Sequence, residues 1–102
     1  MRMHIAYSIN KVPIRVTEER WFHIVENHND LAGSYDEVLI TIENPDFILR
    51  GYRDAIIGVR KVEERHYLNV VYKEITVEDG FIITAYRTST INERAMIWQR
   101  RL

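Results

Sequence analysis

The sequence predicts an α+β fold, with two N-terminal helices packed on a roughly four-stranded antiparallel sheet and a short C-terminal helix. Three observations carry that expectation. Helical spacing occurs in the first half, at Trp21, Ile24, Val25 and His28 and again at Tyr35, Val38, Leu39 and Ile42. The second half alternates polar and aliphatic residues over stretches of strand length. The short connections 63–65 and 77–79 between those stretches suit hairpins. Elements segregated in this way pack as helices on one face of an antiparallel sheet.

Residues 13–16 read as a short strand or extended lead-in, because Ile14 and Val16 alternate with Arg15. Thr17 then suits a helix N-cap, with Glu18 and Glu19 in the first turn where carboxylates favour the helix dipole. This helix should end near Asn29, among Asn27, Asp30 and Gly33. A second helix is expected over Tyr35–Glu43, with Ser34 as N-cap and Glu37 closing a capping box. Pro45 stops it, since a residue before proline avoids helical geometry. Strands are expected at 47–50, 55–62, 66–76 and 80–90, and a short final helix at 91–98.

The chain has 102 residues, enough for one domain, 1–102, with a single modest core. No apolar run approaches the roughly 20 residues that span a bilayer. The N-terminal stretch lacks the apolar segment of a signal peptide, so a cytoplasmic protein is expected. The absence of cysteine excludes disulfides, thiolate metal sites and cysteine nucleophiles. A net charge of -1 argues against strong non-specific nucleic-acid binding. The charge is uneven, however: residues 1–59 hold 6 Lys/Arg against 9 Asp/Glu, and residues 60–102 hold 8 against 6.

The chemistry-bearing residues fall in two places. The first helix carries His23 and His28, and histidine titrates nearest neutrality, so it can take and give protons. Taken alone, His28 reads as a buried neutral histidine on the helix stripe and His23 as a solvated one, roughly 140° away around the helix. Their spacing is wrong for two metal ligands on one helix face, which needs i, i+4, so no metal or other cofactor is expected. The later strands carry Arg60, Asn69, Lys73, Thr84, Tyr86 and Thr88, which alternation groups on one polar sheet face, with Arg87 beside them. Metal-free RNA cleavage needs a base for the 2′-hydroxyl, an acid for the leaving oxygen and cations for the phosphorane charge. These residue types can fill those roles.

Trp21-Phe22-His23-Ile24-Val25-Glu26-Asn27-His28, Asn44-Pro45-Asp46, Tyr67-Leu68-Asn69-Val70-Val71-Tyr72-Lys73 and Gly80-Phe81-Ile82-Ile83-Thr84-Ala85-Tyr86 occur in that order. Together they resemble the barnase–EndoU–colicin–RelE-like superfamily of small nucleases, in its phage and bacterial RelE-like toxin branch, over roughly residues 14–98. The resemblance implies a metal-independent ribonuclease, commonly a toxin paired with an antitoxin. It points to His23 or His28 with Lys73, Thr84, Tyr86 and Thr88 as catalytic residues, and to Arg60 and Arg87 as weaker, substrate-binding candidates. The expected partners are an RNA substrate and an antitoxin protein, with no membrane. A non-catalytic protein-binding module of the same fold, and a homodimer with core histidines, are the alternatives.

Overall fold

The computed structural model describes residues 3–101. Its centre is a seven-stranded mixed sheet of β1 (Met3–Tyr7), β2 (Pro13–Thr17), β3 (Phe47–Arg50), β4 (Ile56–Glu63), β5 (His66–Thr76), β6 (Asp79–Thr88) and β7 (Met96–Gln99). The spatial order is β1-β2-β6-β5-β4-β3-β7. Helices α1 (Glu18–Asn27) and α2 (Tyr35–Glu43) interrupt the chain between β2 and β3. This overturns the expected four-stranded antiparallel sheet and the expected final helix. β1 escapes a sequence reading because it is an edge strand with only Ala6 buried. Residues 93–95 make one 3₁₀ turn, after which Met96–Gln99 pairs antiparallel with β3. The short helical tendency there yields to hydrogen bonds available along the β3 edge, and Ile97 and Trp98 are residue types that strands favour. The joint between β2 and β6 is parallel, through Ile14–Gly80 and Arg15–Phe81.

The local chemistry of the helices explains their ends. Thr17 Oγ1 accepts a hydrogen bond from the Arg20 N–H at 3.1 Å, capping α1. The helix stops at His28, whose backbone leaves helical geometry while its N–H still reaches the Ile24 carbonyl. Ser34 does not form the expected capping box: its side chain makes no cap hydrogen bond and accepts instead from Arg87 Nη2 at 2.9 Å. The tertiary partner, a charged donor, outcompetes the local one.

Helix α1 packs on β2 and β6, and α2 on β1, β4 and β5. Ile14, Val16, Ile24, Leu31, Val38 and Ile42 meet Leu68, Val70, Tyr72, Ile82 and Ala85 in one core. Alternation sends Leu68, Val70 and Tyr72 under the helices, so Tyr67, Asn69, Val71 and Lys73 face the other way, onto an open sheet face. Two residues of that face, Val59 and Asn69, are nonetheless buried, between strand neighbours that include Phe47 and Tyr86.

Tyr72 is fully buried, and among the described residues its hydroxyl has no hydrogen-bond partner. Burial, reinforced by Glu74, pushes that hydroxyl above the ordinary tyrosine range. Tyr72→Phe should therefore raise stability by about 1 kcal/mol by removing an unsatisfied polar group. Above about pH 10 an unfolded tyrosine ionises while the buried one keeps its proton, so the wild type loses stability there. The advantage of Tyr72→Phe should widen by up to about 1.4 kcal/mol per pH unit in that range. Thermal melts of both proteins at about pH 8 and about pH 11 check this, and a constant difference would contradict it.

Candidate functional site

The registers sort the sequence-predicted residues onto two faces. Asn69 pairs with Tyr86, Tyr67 with Thr88, Val71 with Thr84 and Lys73 with Phe81, so Lys73, Thr84, Tyr86 and Thr88 share the open face with Asn69. Arg60 pairs with Leu68 and so does Arg87, which places both on the helix-covered side. The expected grouping of Arg60 with the polar face is thus corrected. β4 enters the sheet with Gly58, opposite Val70, against α2, and the residue two further on points the same way.

Arg87 is tied into a network on that covered side. Its guanidinium donates to Ser34 Oγ at 2.9 Å and to His66 Nε2 at 3.2 Å, and lies 3.7 Å from Asp30 and 3.6 Å from Glu37. Since His66 Nε2 accepts, its Nδ1 carries the proton and donates to Glu63 at 3.3 Å. Two carboxylates offset the Arg87 charge, so its geometry is that of a strut between the second helix and the sheet. Arg60 borders a separate hollow of about 330 Å³ with Asp46, Lys61 and Arg100.

The two helix histidines separate as well. His23 is exposed and bonds Glu26 at 3.1 Å, beside a hollow that also holds Glu18, Glu19 and Phe22. Three carboxylates around it disfavour a phosphodiester. His28, at the end of α1, is half-buried with its ring 6.1 Å from that of Tyr86. His4, His23 and His66 each have a side-chain hydrogen-bond partner, on Tyr35, on Glu26, and on Glu63 and Arg87. Among the described residues the His28 ring nitrogens have none. Beside this pair, Asn69 is buried and its Nδ2 donates to Thr88 Oγ1 at 2.9 Å, which orients that hydroxyl.

Lys73 does not join this group. It lies four residues along β5 from Asn69, the partner of Tyr86, a span of about 13 Å at ~3.3 Å per residue. At its end of the face, Arg15, Thr17, Arg20 and Phe81 line a hollow of about 180 Å³. Arg15 is held by Asp79 through contacts of 2.8 and 3.3 Å. Among the described residues Arg20 and Lys73 have no ion-pair partner. The open face therefore has an acid–base end, His28–Tyr86–Thr88–Asn69, and a cationic end, Lys73–Arg20, with Thr84 between them. Arg15 and Arg20 were not among the sequence-predicted site residues, and Asn69 was placed on the polar face without a catalytic role. The signal for Asn69 was present, a polar residue interrupting Leu68-Asn69-Val70, but nothing in the sequence brings Arg20 to β6.

No group of three or more His, Cys, Asp or Glu able to hold a metal occurs among the described residues. No helix among them is long and apolar enough to cross a membrane. In comparisons with known proteins, no family model, curated protein or solved structure matches this chain.

Proposed function

We propose that the protein is an endoribonuclease acting on single-stranded RNA laid along β6, with no metal required. The observation that carries this is the His28 ring, half-buried beside Tyr86 with its nitrogens unpartnered among the described residues. His28 takes the proton of a ribose 2′-hydroxyl. The freed oxygen attacks the adjacent phosphorus, the bond to the 5′-oxygen breaks, and that oxygen receives a proton from the Tyr86 hydroxyl. The Thr88 hydroxyl, held by Asn69, donates to a phosphoryl oxygen, while Lys73 and Arg20 hold phosphates further along the strand. This chemistry leaves a 2′,3′-cyclic phosphate and a 5′-hydroxyl. The test is incubation of purified protein with an end-labelled RNA in the presence of a chelator, with mass analysis of the product ends. Intact RNA, or 3′-hydroxyl ends, would reject the proposal. A toxin acting on RNA of its own cytoplasm, held in check by an antitoxin, fits this reading.

A second reading, a protein-binding module, is favoured by β1. It forms one edge of the sheet, and Met3, Ile5 and Tyr7 are all exposed on it. An extended segment of an antitoxin-like partner, or of a second copy, could add there as a further strand. The two readings are compatible, because β1 lies two strands from β6.

A further inference from the structure

Beyond the acid–base end, the open face runs into a groove of about 630 Å³. Phe47 and Tyr67 form its aromatic wall, with ring centroids 6.5 Å apart and planes tilted by 55°. Ser89, Thr90 and Gln99 supply neutral polar groups along it, Arg65 a cation, and Glu64 and Glu93 carboxylates, the first of them paired with Lys61 at 2.7 Å. We propose that this groove is a base-stacking subsite for the nucleotide next to the cleaved bond. The proposal rests on the RNA reading above.

Position argues for it first. Tyr67 pairs with Thr88, and Tyr86 lies two residues before Thr88 on the same face. Tyr67 and Tyr86 are therefore diagonal neighbours, about 7–8 Å apart. That separation is of the order of one nucleotide step along an extended strand. A strand whose scissile phosphate lies at His28 and Tyr86 thus delivers an adjacent base to Tyr67. Chemistry argues for it second. Tyr67 and Phe47 are half-buried, touch each other and share a sheet face with the buried Val59 and Asn69, so stacking on their rings costs little ordering. Every base has a π-face, and the hydroxyl and amide groups around the groove can meet base edges. A peptide would also find apolar surface here, but the groove's continuity with the acid–base end favours a nucleotide.

The test is equilibrium binding of a fluorescent single-stranded RNA hexamer, and of an abasic hexamer with the same ribose-phosphate chain, to wild type, Tyr67→Phe and Tyr67→Leu. Wild type and Tyr67→Phe should bind the normal hexamer alike. Tyr67→Leu should bind it about 5- to 150-fold more weakly, the range of one lost base stack, and should bind the abasic hexamer as wild type does. A Tyr67→Leu protein that binds the normal hexamer as well as wild type overturns the subsite. Equal loss toward both ligands also overturns it, because that marks a structural role for Tyr67. Base-dependent binding without any RNA cleavage would keep the subsite and remove the nuclease reading. Absence of RNA binding by wild type would overturn the subsite and leave the groove to a protein segment.

Discussion

His28→Ala should lower the rate of RNA cleavage by about 10²- to 10⁴-fold, the contribution of a positioned acid–base group. The fold should survive, because His28 sits at the end of α1, outside the core cluster, and its backbone rather than its ring closes the helix. His23→Ala serves as the internal control. Among the described residues its ring bonds only Glu26, on an exposed surface, so cleavage should fall by less than about 3-fold. A second control is Tyr86→Phe, which keeps the ring against His28 but removes the proposed acid. It should reduce cleavage while leaving RNA affinity unchanged, a loss in the chemical step alone. Full activity in His28→Ala, or a larger loss in His23→Ala, would move the acid–base assignment off the open face.

Gly80→Ala should be among the most damaging single substitutions in the scaffold. A Cβ there would stand 2.6 Å from Ile14 Cδ1 and 2.6 Å from the Lys73 carbonyl oxygen. The first contact can yield by a side-chain shift, but the second is backbone. Gly80 is also one of the two β6 positions that join β2, and hence β1, to the rest of the sheet. Overpacking of this kind costs about 1–3 kcal/mol, and more when backbone must move. For a domain of this size that is a drop in melting temperature of roughly 5–20 °C. Combining it with Ile14→Val, which removes the Cδ1, should recover part of the loss and leave the carbonyl clash. A Gly80→Ala protein melting within about 2 °C of wild type would refute the close approach. The same substitution bears on function, because β2 carries Arg15 and leads into α1 with Arg20 and His28.

The part of the site legible in the sequence was the β6 run. Strict alternation in Thr84, Tyr86 and Thr88 fixes a common face whatever the neighbours are, and Lys73 and Asn69 alternate likewise on β5. Arg60 could not be placed that way. Which side of β4 faces the helices depends on its register against β5, and a one-residue slip exchanges the two sides. The histidines were ambiguous for a related reason. Periodicity puts His28 on the helix stripe, but only the docking of α1 against β6 sets its ring beside Tyr86 rather than in the core.

By itself the sequence determined what local chemistry can determine. The N-cap at Thr17, the proline at 45 and the 3.6-residue stripes define both helices, and alternation with short connections defines the hairpins of β4, β5 and β6. Tertiary structure alone decided the rest: the edge strands β1 and β7, the parallel joint of β2 with β6, the diversion of Ser34 from capping to Arg87, and the pairing of His28 with Tyr86. The physical reason is common to all four. Each depends on a partner distant in sequence, whose hydrogen bonds and packing surface exist only once the central sheet has formed, and such contacts leave no period in the chain that makes them.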